Sequence, residues 1–253
     1  MGDSTAGTYE VDAIVFDVVG TLVDDEGAWA VKADELGAAT GRDPADLLAR
    51  WTAALERRMA AVVAGHASWQ PHRRLVVESA REAIGEADGT DPAAFLASVE
   101  WLDREYVAWP DVAPATAELR RHRLVAGLSN ADLDSLAHLA SANAISWDAV
   151  LSTASVGTFK PAPAAYRHAI EALRLDPART LFVAAHPWDL RAAAEHGFRT
   201  AYVARPGAQQ PDADDQFDVT VPDLSALAAV LAAWPDGGGG IPRCDRPVMT
   251  KDL

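Results

Sequence analysis

The first residue in this chain whose type and place invite chemistry is Asp17. It follows Val11-Asp12-Ala13-Ile14-Val15-Phe16, in which five of six residues are apolar, and it precedes Val18-Val19-Gly20-Thr21. An apolar run ending on one carboxylate and a glycine turn reads as a buried strand, and open α/β sheets bind ligands at the carboxyl ends of their strands. A carboxylate there can act as a nucleophile, a metal ligand or a structural cap. Further polar groups recur at or just after the ends of later apolar runs or in adjoining loops: Ser129-Asn130, Lys160 and Asp189. Each has a plainer role when taken alone. Ser129 suits a helix cap, Lys160 before a proline suits a solvated loop, and Asp189 suits an N-cap. As a set they converge on one crevice, provided the strands between them lie parallel in one sheet.

The intervening sequence supports such a sheet. From Trp109 onward, apolar strand-like runs alternate with helical ones. A helix at 113–122 precedes the strand 124–128, and a helix at 132–142 precedes the strand 149–152. The loop around Lys160 leads into a helix carrying Tyr166, followed by the strand 181–185 and a short helix that stops at Gly197. Strands at 200–203 and 218–221 and an amphipathic helix at 224–234 complete the series. Repeated βα units predict a Rossmann-like, doubly wound parallel sheet.

Residues 26–107 break this rhythm. They hold no convincing strand, only helical segments rich in Ala, Leu, Arg and Glu. One helix is expected at 29–36, ending near Gly37. A second opens at Asp43-Pro44 and runs through Leu47, Leu48, Trp51, Leu55 and Met59. Two more are expected at 73–84 and 91–106. This all-helical insert after the first strand predicts a small cap over the site. The expected division is a core of residues 1–24 and 108–235, a helical cap of 25–107, and a loosely ordered tail of 236–253 that opens with Gly237–Gly240.

Composition narrows the partners. A net charge of −15 gives no basic patch for nucleic acid or an anionic membrane surface, and no apolar run reaches membrane length. Cys244 is the only cysteine, so no intrachain disulfide is expected. The polar stretch Met1–Glu10 does not read as a signal peptide, and the expectation is a soluble, cytoplasmic protein.

Asp17 with Gly20-Thr21-Leu22, then Ser129, Lys160 and Asp189 in that order, resembles the four motifs of the haloacid dehalogenase (HAD) superfamily, over roughly residues 11 to 221. Two positions speak against its phosphatases. Val19 stands where those enzymes carry a second acid to protonate the leaving alkoxide. Ala185 stands near where they place a carboxylate for Mg²⁺. Phe159-Lys160-Pro161-Ala162-Pro163-Ala164-Ala165-Tyr166 and the Trp188-Asp189 pair instead resemble the L-2-haloacid dehalogenases.

That resemblance implies a two-step hydrolysis of a small 2-haloalkanoic acid. Asp17 would displace halide from C2, and water would then cleave the resulting ester to a 2-hydroxy acid, with no metal or cofactor. Lys160 would keep Asp17 ionised, with Thr21 and Tyr166 orienting the pair. Ser129 and the backbone N–H groups of Val18 and Val19 would hold the substrate carboxylate. Asn130 and Trp188 would line the halide side, and Asp189 would orient Lys160 or the water. A homodimer is common among similar enzymes.

Two departures stand out. His186 replaces an Asn usual near the attacking water. It is either a general base, with Asp189 holding its tautomer, or a loop histidine bonded to backbone. The halide-gripping Arg of the family is missing: depending on the anchor, Thr52 or Trp51 takes its place, and Trp51 is the expected substrate contact. The leaving group is therefore open. A close variant opens a strained cyclic amino acid, with His186 protonating the nitrogen. A Mg²⁺-dependent phosphatase and a non-catalytic HAD fold are the remaining readings.

Overall fold

The computed structural model describes residues 10–85 and 93–233. The expected helix start at Asp91, the residue Cys244 and the expected tail lie outside them. Eight strands and nine α-helices are present among the described residues. Six strands form one parallel sheet in the order β5-β4-β1-β6-β7-β8: Ala149–Ser152, Leu124–Ser129, Ala13–Phe16, Thr180–Ala184, Arg199–Val203 and Val219–Val221. The first strand, β1, lies at the centre, between β4 and β6. The strand carrying Asp17 is thus flanked by the strands that lead to Ser129 and to His186.

Alternation along each strand feeds two cores. Ile14 and Phe16 join Val125, Leu181 and Val183 in a cluster with α5 (Val112–Leu119), α6 (Leu133–Ala142) and α9 (Leu224–Ala232). Val15 points the other way, to Ala126, Leu128, Phe182 and Ala184, against α7 (Pro163–Leu173) and α8 (Pro187–Glu195). A sheet covered on both faces explains why its strands read as nearly continuous apolar runs.

The helical segment between β1 and β4 consists of α1 (Glu26–Thr40), α2 (Pro44–Val63), α3 (His72–Ile84) and α4 (Ala93–Val99). Asp43 caps α2 as its sequence indicates, accepting the Ala45 N–H at 2.9 Å. Three expectations need correction here. Helix α1 runs past Gly37 and stops at Gly41, whose φ of +67° lies in the left-handed region that favours glycine. Gly37 lies inside the helix, where α2 begins against it, with Pro44 Cγ 2.7 Å from where a Cβ would stand. The fourth helix ends at Val99, not near Tyr106. A 3-10 turn at Leu102–Glu105 follows, then a short strand β3, Val107–Ala108, pairs antiparallel with β2, Val23–Asp24. That ribbon ties the two chain crossings between sheet and helical segment together, and two residues per strand are too few to give a sequence signal. No described helix is long and apolar enough to cross a membrane.

Candidate active site

The turn after β1 builds the site. The Asp17 N–H still bonds Val183 across the sheet at 2.9 Å, so the ladder fixes its backbone. The chain then folds back at once. The Val18 carbonyl accepts the Leu22 N–H at 2.8 Å, and Gly20 takes φ +78°. Within that turn the Thr21 hydroxyl donates to Asp17 Oδ2 at 2.7 Å and accepts the Ala185 N–H at 2.9 Å. One hydroxyl thereby links the turn after β1 to the end of β6.

Lys160 arrives from the loop before α7, where the Asn130 side-chain oxygen accepts its backbone N–H at 2.7 Å. Its ammonium lies between two carboxylates, 2.7 Å from Asp17 Oδ1 and 2.5 Å from Asp189 Oδ2. The Tyr166 hydroxyl donates to the other Asp189 oxygen at 2.5 Å. On the open side, His186 Nδ1 lies 2.9 Å from Asp17 Oδ2. Asp17, Lys160 and Asp189 are all buried, while His186 keeps partial access to solvent.

These contacts set the charges. Burial alone opposes ionisation of Asp17, but the Lys160 ammonium and His186 outweigh it and hold the carboxyl well below the usual range. Burial likewise disfavours the charged forms of Lys160 and His186. The carboxylates around Lys160 and the bond from Asp17 to His186 reverse that, and both pKa values rise. Burial and the nearby Asp17 charge raise Asp189 despite Lys160. The site therefore favours an ionised Asp17 beside the Lys160 ammonium, and that carboxylate in turn favours the protonated form of His186.

Ser129 and Asn130 flank this network at the end of β4. Ser129 Oγ accepts the Ala131 N–H at 3.2 Å and is buried, while the Asn130 oxygen serves the Lys160 loop. In the turn after Asp17, Val18 is buried and Val19 half-buried. The Trp188 ring lies 5.7 Å from the His186 ring and is partly exposed.

The expectation for Trp51 is not met. It is fully buried, donates its indole N–H to Val76, and packs its ring on Trp29 and Phe95. The nearby arginines supply no substitute for the missing one. Arg50 pairs with Asp46, Arg57 with Glu82, and Arg58 with Glu78 and Glu82. The expectation that Asp189 steers His186 also fails, because both Asp189 oxygens are engaged by Lys160 and Tyr166.

Sequence reasoning missed Arg205. It stands two residues beyond β7, donates Nε–H to the Thr21 carbonyl at 2.9 Å, and is fixed by Asp111. The signal was available, since a polar residue just past a buried strand is the rule that found the others.

A family model described as haloacid dehalogenase-like hydrolase matches residues 11–197, nearly three-quarters of the chain. The chain belongs to this family of hydrolases. Its relatives place it among the L-2-haloacid dehalogenases. An L-2-haloacid dehalogenase of solved structure is 30% identical, with a TM-score of 0.78 over 87% of this chain and 99% of that one. A defluorinating L-2-haloacid dehalogenase is 27% identical, with a TM-score of 0.79 over 91% and 98% of the two chains. In sequence, (S)-2-haloacid dehalogenase 4A of Burkholderia cepacia is 29% identical over 205 residues, covering 77% of this chain and 84% of that protein.

Proposed function

We propose that this hydrolase displaces a leaving group, most simply halide, from C2 of a small 2-haloalkanoic acid through an ester on Asp17. The observation that carries this reading is the lysine between two buried carboxylates. Magnesium-dependent members of such a fold need oxygen ligands around a divalent cation. Here Lys160 already occupies the space between Asp17 and Asp189, and Val19 and Ala185 add no oxygen. A metal-bound phosphate is poorly served by that arrangement. Displacement of a stable anion from carbon is well served, because it needs an ionised, positioned carboxylate and no proton for the leaving group.

In the first step Asp17 forms a bond to C2 while the C2–halogen bond breaks and the halide leaves with its electron pair. Water then adds to the side-chain carbonyl carbon of Asp17, and the ester bond breaks to release the 2-hydroxy acid. His186, on the open side of Asp17, is the base for that water. Its pairing with Asp17 supports this timing. Forming the ester removes the Asp17 anion that raises the His186 pKa, so the imidazolium loses its Nδ1 proton to solvent and becomes a base when water must be activated. Water then gives one proton to His186 and one to the departing oxygen, restoring the Asp17–His186 ion pair. The names of the relatives support the substrate class, and the ion-paired arginines on α2 leave the halide open.

Halide release from L- and D-2-chloropropionate, chloroacetate and fluoroacetate in EDTA tests this reading. EDTA-insensitive release by the wild type from at least one acid is expected. Release of phosphate from a phosphomonoester in Mg²⁺, without halide from any acid, would sink it.

A further inference from the structure

The residue that most needs an explanation outside the expected set is Asp25. It occupies the N-cap position of α1, where a carboxylate ordinarily accepts the free N–H groups of the first turn. Asp25 makes no side-chain cap bond, and its backbone is already near-helical at φ −100°, ψ −28°. The carboxylate faces the nucleophile turn instead. A Cβ added at Gly20 would stand 2.7 Å from His186 Cε1, 3.0 Å from His186 Nε2 and 3.5 Å from Asp25 Oδ1. Imidazole and carboxylate therefore approach the same point, and Gly20 leaves the gap between them open. His186 spends Nδ1 on Asp17 and turns Nε2 toward this gap.

The geometry points to Asp25 as the positioning residue for His186, a carboxylate on the Nε2 side that fixes the tautomer whose Nδ1 is free to take a proton from the hydrolytic water. This rests on the aspartyl-ester reading above. A histidine acting through Nδ1 must keep its remaining proton on Nε2, and the imidazolium formed when water is deprotonated gains from a nearby anion there. Asp189 is not placed for this, since its oxygens meet Lys160 and Tyr166 and the partner of His186 is Asp17. The charged groups around His186 are Asp17 and Lys160 on one side, Asp189 beyond them, and Asp25 across Gly20. Of these, Asp25 is the one that approaches from the Nε2 side.

The state of Asp25 suits that task. Burial pushes its carboxyl up to about 6, against the pull of its own backbone N–H and of His186. Near neutral pH it is an anion, yet it can exchange a proton with the medium at little cost. The step balances with no further reactant. Water loses one proton to Nδ1 as its oxygen bonds the Asp17 carbonyl carbon. The ester C–O bond breaks, the departing 2-hydroxy oxygen takes water's other proton, and Nε2 keeps its own proton on the Asp25 side.

Two measurements on Asp25→Asn test this, both on the full chain. The first is a ¹⁵N NMR titration of the His186 ring in resting enzyme. The variant should titrate at lower pH than wild type, by about half a unit or more. The second is rapid quench with L-2-chloropropionate and mass analysis of the Asp17 peptide. The first turnover of halide should stay within about twofold of wild type, while ester hydrolysis slows by about tenfold or more. The double variant Asp25→Asn/His186→Asn should hydrolyse its ester no more slowly than His186→Asn alone. An unmoved His186 titration, or an ester that turns over at the wild-type rate in Asp25→Asn, would overturn the role of Asp25. A shifted titration in a wild type that never forms an ester on Asp17 would fail differently. It would leave the two side chains coupled but sink the ester reading, and the catalytic role of Asp25 with it.

Discussion

The carboxyl edge of the sheet and the helical segment beside it handle charge in opposite ways. At the sheet edge, Asp17, Lys160 and Asp189 are buried, with the Lys160 ammonium 2.7 Å from the first carboxylate and 2.5 Å from the second. Along α2 and α3, Arg50, Arg57 and Arg58 pair with Asp46, Glu78 and Glu82 at the surface, and the interior is the aromatic group Trp29, Trp51 and Phe95. Burying charge is costly unless each group is paired and hydrogen-bonded, so a fold keeps such a cluster where it has a use. The surface pairs follow the cheaper rule and contribute little each. Loss of charge at the sheet edge should therefore cost chemistry as well as stability, and loss in the helical segment should cost stability alone.

The sharpest way to break that contrast is Lys160→Met. It leaves Asp17 and Asp189 facing each other without a cation, and stability should drop by about 3–5 kcal/mol. The sign of the pH dependence is fixed by Asp17, whose folded pKa is depressed by Lys160 and His186. In the wild type, the stability from that depression is present above the unfolded carboxylate pKa and is lost as pH falls through the lower folded value. Without Lys160 the pair shares a proton to higher pH, so residual halide release should rise with pH across the range where wild type is flat. An equal fall at every pH would count against Lys160 as the group that keeps Asp17 ionised.

Trp51→Ala comes next. Removing a fully buried indole should cost about 3–5 kcal/mol in chemical denaturation. The folded fraction should keep kcat/KM within about tenfold, since its contacts are Val76, Trp29 and Phe95. A large loss of kcat/KM at unchanged stability would return Trp51 to the substrate-binding role its sequence position suggests. The smallest effect belongs to Arg57→Ala, whose pair with Glu82 is well exposed. Its cost should be under about 1 kcal/mol and should shrink with added salt.

Much of the site was legible because its positions obey one rule. Asp17, Ser129 and the His186–Asp189 segment all follow buried strands, and such strands announce themselves as apolar runs. The sheet itself was legible for the same reason. What sequence could not supply were facts that depend on direction in space. His186 was open to two readings because nothing in the chain says which carboxylate a ring nitrogen meets; the structure gives it Asp17, not Asp189. Asp25 carries no signal in the sequence, and the missing cap bond is what marks it. Trp51 misled because alignment to an absent arginine fixes a position, not the face a side chain turns to. The β2–β3 ribbon escaped because two-residue strands carry no periodicity.

One measurement tests the central claim most directly: a single turnover with excess enzyme in H₂¹⁸O, using whichever 2-haloacid releases halide. If water attacks an ester on Asp17, the ¹⁸O appears in the Asp17 side chain, and the first 2-hydroxy acid released carries oxygen from the protein. If the label goes straight into the hydroxy acid and the Asp17 peptide stays unlabelled, water attacks C2 directly, and the nucleophilic role of Asp17 is wrong.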